Sequence, residues 1–260
     1  MLEARRISYK YANTPNGRHA VSDLSIELVP GRFYAIVGPN GCGKSTLLDL
    51  LCGHKRPGSG TVTCNGRPLS DYGKKALARN IALVPQESSL NFPYTAREVV
   101  TMGRYPHLGR FAAPGAADLA FVDQVLAECH ALSLAGRYMT ELSGGEKQRV
   151  VFARAMAQDT PVLLLDEPCA NLDVRHALLL LDLAAAQVRQ NRRSVVAVMH
   201  DINLAARYAD HLVFMKNGRI EAAGPTREVL DREILKKIFG VEAKLAMEPA
   251  INAPQVVFLR

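Results

Sequence analysis

Gly38-Pro39-Asn40-Gly41-Cys42-Gly43-Lys44-Ser45 satisfies the pattern G-x-x-x-x-G-K-S/T at every position. Ahead of it, the apolar run Phe33-Tyr34-Ala35-Ile36-Val37 predicts a buried strand. Behind it, Thr46 to Leu51 predicts a helix closed by Gly53. A strand, a glycine turn and a helix N-terminus together form an anion site. Successive backbone N–H groups point inward, the helix dipole adds positive potential, and glycines let phosphates approach the backbone. Lys44 is placed to reach β- and γ-phosphates and the Ser45 hydroxyl to ligate Mg²⁺, while Thr46 beside them is a candidate nucleotide-binding residue. The bland alternative is a glycine-rich turn with a chance lysine, and the flanking strand and helix weigh against it. The stretch predicts a nucleotide site in an α/β fold.

The chain has 260 residues, 48% of them hydrophobic and 22% charged, which is ordinary for a globular protein with a sizeable core. No apolar run approaches the length of a membrane span. The richest candidate, Ala177 to Val188, is interrupted by Asp182 and predicts a buried helix instead. The opening Met1-Leu2-Glu3-Ala4-Arg5-Arg6 lacks the layout of a signal peptide, so the expected location is cytoplasmic. Five cysteines (42, 52, 64, 129, 169) form no C-x-x-C pair, so neither a metal knuckle nor a disulfide framework is expected. Cys42, two residues from Lys44 and near a helix N-terminus, sits where a thiolate is expected to be stabilised. The favoured reading for catalysis is the bland one, a small residue that fits the loop, with alkylation of Cys42 expected to block nucleotide entry. The net charge of +7 suits an acidic partner but does not choose among nucleotide, nucleic acid and membrane surface.

Along the chain, Leu2 to Tyr9 and Leu24 to Val29 predict antiparallel strands around a polar loop containing Asn16-Gly17. Tyr9 and Tyr11, just before that loop, are candidate adenine-stacking rings or strand-edge packers. Residues 60–67 predict a strand ending in an Asn-Gly hairpin turn. Ile81 to Val84 predicts another strand, with Gln86 after it as a candidate Mg²⁺ ligand or water-orienting group. From about 91 to 140, turns at Gly103, Pro106, Gly109, Pro114 and Gly115 alternate with helical patches, which predicts an inserted helical subdomain. Ser143-Gly144-Gly145-Glu146 has capping-box spacing and opens a helix, a second candidate anion site.

Val162 to Leu165 predicts a central strand ending in Asp166 and Glu167. Paired acids at such a strand end suit an Mg²⁺ ligand, Asp166, and a general base, Glu167. Asn171-Leu172-Asp173 follows in a turn. Ser194 to Met199 predicts a buried strand with His200 at its end, placed for a γ-phosphate contact. Leu212 to Ile220 predicts a hairpin turning at Asn217-Gly218. A final helix is expected over about 225–239, then an extended tail to Arg260.

In this order the pieces resemble the ATP-binding subunit of ATP-binding cassette (ABC) transporters over essentially the whole chain. The resemblance implies a single ATP-binding domain, 1–260, with a mostly parallel core sheet, an antiparallel β subdomain and a helical subdomain at about 91–140. It identifies Tyr11 as the adenine-stacking aromatic, Gln86 as the Q-loop, 142–146 as the signature motif, 170–173 as the D-loop with Asp173, and His200 as the switch histidine. Ser45, Gln86 and Asp166 would share Mg²⁺; Glu167 and His200 would support ATP hydrolysis. Two copies would pair head to tail, which accounts for two anion sites in one chain. The helical insert would dock on integral membrane permease subunits at the cytoplasmic face of the cell membrane, served indirectly by a substrate-binding protein. Cys169, where the family has threonine, is a departure outside the phosphate contacts.

Residues 94–107, 199–210 and 239–241 are similar to importers of iron–siderophores, haem and cobalamin, which implies iron-chelate uptake with haem or cobalamin as alternatives. A soluble cassette ATPase acting on nucleic acid or ribosomes is the rival, but the span from Gln86 to Leu142 carries no sustained heptads and the chain has one cassette, so no nucleic acid is expected. A P-loop phosphotransferase is disfavoured by the signature helix and the Asp166–Glu167 pair.

Overall fold

Phe33–Val37 is buried at all five positions, as a strand of Phe, Tyr, Ile and Val with neighbours on both faces must be. The computed structural model describes residues 1–12, 19–86, 93–170 and 172–259. The predicted turn Asn16-Gly17, the start of the helical insert at 91–92, the D-loop Asn171 and the terminal Arg260 lie outside these. The chain divides into two compact units, Met1–Asp71 with Ser194–Arg260, and Tyr72–Arg193.

In the first unit, Phe33–Val37 pairs in parallel with Ser194–Val198 on one side and His211–Lys216 on the other. His211–Lys216 turns at Asn217-Gly218 into the antiparallel Arg219–Pro225. Both turn residues have positive φ, 51° and 78°, which is what the Asn-Gly pair supplies. A separate antiparallel sheet has Leu2–Tyr9 at its centre, between Val21–Leu28 and Ser59–Cys64. Val21–Leu28 buries alternate residues along most of its length, the mark of one wet and one packed face. Gly60 is obligatory there: its φ is +77° and a Cβ would lie 2.3 Å from the Arg6 carbonyl oxygen.

The expected final helix is two helices, Thr226–Val229 and Arg232–Phe239. Asp231 breaks the run because its carboxylate accepts from the Ile234 amide at 2.9 Å and starts the second helix as a cap. The expected single tail is instead a hairpin of Ala243–Glu248 and Ala253–Phe258. Asn203 holds it like a third strand, donating to the Val256 carbonyl (3.2 Å) and accepting from its amide (2.7 Å).

In the second unit, Ile81–Val84 pairs in parallel with Val162–Asp166. Helices Ala96–Thr101, Ala116–Glu128, Gly144–Ala157 and Val174–Asn191 supply Val99, Val122, Leu126, Phe152 and Leu181 to its core, all of them fully buried. Val174–Asn191 covers the helix expected at 177–188, but it is amphipathic and not buried throughout: Leu180, Leu181, Ala184 and Ala185 face the core while Asp182 is exposed. Among the described residues, no helix is long and apolar enough to cross a membrane. The strands, helices and turns realise the expected α/β fold.

Candidate nucleotide site

The phosphate loop leaves the C-terminal end of Phe33–Val37 and enters the helix Lys44–Leu51. Gly38 is tied to its site by space, since a Cβ would lie 2.1 Å from the Met215 carbonyl oxygen. At the helix start, Gly43 has left-handed φ of 105° and supplies no side-chain cap, which suits a terminus meant to meet an anion. The loop is braced by Gly218, whose amide donates to the Cys42 carbonyl at 2.9 Å, and Gly218 in turn accepts from the Ser22 amide at 2.8 Å. Lys44 is only 5% exposed, and its ammonium donates to the carbonyls of Gly38 (2.9 Å) and Pro39 (3.1 Å). A buried ammonium needs such partners; phosphate oxygens are the natural replacement for these two carbonyls. Ser45 is half-buried on the first helical turn. The donor set of loop amides, ammonium and hydroxyl fits a nucleoside triphosphate with its divalent cation.

Tyr11 is 41% exposed, and its hydroxyl is 3.0 Å from the Thr46 hydroxyl on the phosphate-loop helix. Tyr9 packs edge-on against it, ring centroids 5.1 Å apart, and the Lys55 ammonium lies 5.6 Å from the Tyr11 centroid. Of the two rings, Tyr9 is half-buried and Tyr11 is the more exposed. His200 is exposed at the end of Ser194–Val198, and Asp201 caps the following helix by accepting from the Asn203 and Leu204 amides.

Cys42 corrects an expectation. Its thiol is not held as a thiolate: burial pushes its pKa up and outweighs the nearby Lys44 charge and backbone amides, which pull it down. The side chain is 5% exposed. All five cysteines are free thiols.

The other unit holds the acids. Asp166 ends its strand half-buried, and Glu167 follows with φ of 47°, a left-handed conformation that costs a non-glycine residue about 1 kcal/mol. The twist turns Glu167 out of the strand line, where Gln86 donates its amide to Oε2 at 2.5 Å. Gln86 and Glu167, read separately in the sequence, are thus direct partners.

Ser143 and Glu146 form the expected capping box. The Ser143 amide and hydroxyl both donate to the Glu146 carboxylate at 2.8 Å, and the Ser143 oxygen accepts from the Glu146 amide at 3.4 Å. The Ser143 amide, then its hydroxyl, hold the Glu146 carboxyl below its ordinary pKa. A Cβ on Gly144 would meet nothing within 4 Å, whereas one on Gly145 would sit 3.0 Å from the His176 ring. His176 was missed in the sequence. Its amide and ring nitrogen both contact the Asp173 carboxylate (2.9 and 2.8 Å), so Asp173 caps Val174–Asn191 and its carboxyl is held low, chiefly by that amide. The D-x-x-H spacing of a capped helix start was the available signal.

Residues 21–170 match the family model described as ABC transporter. The chain belongs to the ABC transporter family. It is 39% identical to a hemin import ATP-binding protein of Rhizobium meliloti, over 99% of this chain and 98% of that protein. It is 42% identical, over 92% of its length, to a cobalamin import ATP-binding protein of Halobacterium salinarum, of which it spans 60%. A dimeric ATP-binding cassette solved in a post-hydrolysis state with ADP and Pi bound superimposes with a TM-score of 0.78 at 27% identity, covering 87% of this chain and 99% of that one. The chain is an ATP-binding ATPase of this family.

Proposed function

We propose that this protein is the ATP-hydrolysing subunit of a membrane importer whose cargo is an iron chelate, of the siderophore or haem kind, with cobalamin as the alternative. The observation that carries the importer reading is the near end-to-end match to a hemin import ATP-binding protein. The capped signature helix supports the mechanism. Ser143, Gly144, Gly145 and Glu146 would meet the γ-phosphate held by the loop of a second copy, with Asp173 at the seam, so that two chains close head to tail. The solved cassette is dimeric, which supports the pairing of two copies.

In this reading Tyr11 stacks on adenine, and Gly38 to Thr46 wrap the phosphates. Lys44 exchanges its two loop carbonyls for phosphate oxygens. Mg²⁺ would be held by Ser45, Asp166 and the amide oxygen of Gln86, and when bound it neutralises phosphate charge. Glu167 takes the proton from the attacking water, and Gln86, donating to its Oε2, keeps that carboxylate aimed. His200 contacts the γ-phosphate. The helical stretch at about 91–140 would be a subdomain that docks on the permease. Its exposed Tyr94, Tyr105, Phe111 and Tyr138 support that role, Phe111 being 94% exposed. The protein would then lie peripherally on the cytoplasmic face of the cell membrane.

The test is affinity capture of the tagged chain from detergent-solubilised membranes of its host, followed by mass spectrometry. Recovery of a polytopic permease, with a substrate-binding protein to screen for ferric siderophore, haem or cobalamin, is the expected outcome. Recovery of soluble ribosomal or nucleic-acid partners alone would refute the importer and leave the ATP site standing.

A further inference from the structure

Asp49, Cys52 and His54 offer a carboxylate oxygen, a sulfur and an imidazole nitrogen whose atoms all lie within 4.8 Å of one another. We propose that these three residues form a binding site for a borderline divalent ion of the zinc type, separate from the nucleotide's magnesium.

Local backbone structure builds the cluster. Asp49 and Cys52, three residues apart, share a face at the end of the phosphate-loop helix. Gly53, with φ of 76°, then turns the chain back, and the Lys55 amide closes the turn on the Asp49 carbonyl at 3.0 Å. That return brings the His54 ring nitrogen Nδ1 to 3.7 Å from the Asp49 carboxylate. The Cys52 sulfur stands 3.5 Å from the Asp49 carbonyl oxygen. Cys52 is buried, while the His54 side chain is 62% exposed, so the thiol forms the floor and the imidazole the mouth.

The donor set decides the ion. Magnesium and calcium take oxygen ligands, whereas one sulfur, one nitrogen and one oxygen suit zinc or cobalt with a fourth position left to water. On binding, the thiol proton passes to solvent and the thiolate takes the ion. A cation already sits on the carboxylate: the Lys55 ammonium pairs with Asp49 Oδ2. An incoming metal ion displaces it, so Lys55 competes with metal.

Cobalt(II) is the probe, because a thiolate ligand gives it a near-ultraviolet charge-transfer band. Titrated into the full chain in excess Mg²⁺, it should give that band with saturation at one ion per chain. Cys52→Ala should abolish the band. His54→Ala, at an exposed position that leaves the fold intact, should weaken binding by about tenfold or more. Lys55→Gln should tighten binding by about fivefold, because it removes the competing cation. A wild-type chain with no band, a band unaltered in both the Cys52→Ala and His54→Ala chains, or a Lys55→Gln chain that binds no tighter overturns the site.

Discussion

In the proposed reading Tyr11 carries two separable functions, a ring for the base and a hydroxyl for the phosphate-loop helix, and substitution can divide them. Tyr11→Ala removes the ring. Base–aromatic stacking contributes about 1–3 kcal/mol, so the ATP dissociation constant should rise roughly 5- to 150-fold. Tyr11→Phe keeps the ring and loses the hydroxyl, with its 3.0 Å contact to Thr46. With Tyr11 41% exposed, that neutral hydrogen bond contributes about 1 kcal/mol or less, a fall in Tm of about 2–4 °C, with ATP affinity nearly unchanged. The chain has no tryptophan, so calorimetric titration is the assay. Stacking does not read base edges, so GTP should weaken alongside ATP in the Tyr11→Ala protein, while inorganic tripolyphosphate binds as before. An ATP affinity within a factor of two of wild type would refute the stacking role, and Tyr9→Ala would then test the neighbouring ring. If tripolyphosphate weakens as much as ATP, the hydroxyl's tie to Thr46 is the cause instead.

Glu167→Gln should keep ATP binding, lose about 10²–10⁴-fold in turnover and leave a persistent dimer on gel filtration with ATP; turnover at the wild-type rate would rule out Glu167 as the base. Lys44→Ala should weaken ATP binding itself, because the ammonium that faces the phosphates is gone, and unchanged affinity by calorimetry would sink the phosphate-loop assignment. Iodoacetamide at neutral pH should label the half-exposed Cys169 before the buried Cys42, whose thiol is held protonated by burial, and ATP binding should fail only as Cys42 is modified, followed by peptide mass spectrometry. Burial raises the Cys129 thiol from 9.0 to about 12. Below the unfolded value both states keep the proton. Above it only the unfolded chain releases it, so stability falls as pH rises. Between about pH 9 and pH 10 this group alone should cost about 1 kcal/mol. Urea midpoints should show the gap between wild type and Cys129→Ala narrowing by that amount, and a constant gap would contradict it.

Local patterns were legible in the chain. The phosphate loop, the Ser143–Glu146 cap, the Asn65-Gly66 and Asn217-Gly218 turns and the buried strands all depend on neighbours within a few residues, where periodicity and turn chemistry act directly. Asp231 as a helix start, and Asp173 with His176, were equally local and were passed over because a longer helix or a bare turn accounted for the same residues.

Other features were settled only by the tertiary fold. Gln86 and Glu167 are 81 residues apart in the chain and meet because two strands pair in parallel. Tyr11 meets Thr46 across 35 residues. The terminal hairpin depends on Asn203, 53 residues from Val256. Cys42 shows the limit most plainly. Its neighbours in sequence promise a thiolate, since Lys44 and the helix start are both close. The folded loop buries the sulfur, and removing a charge from water outweighs both. Proximity along the chain can be read from spacing; desolvation is set by all that packs around a group, and only the folded structure decides it.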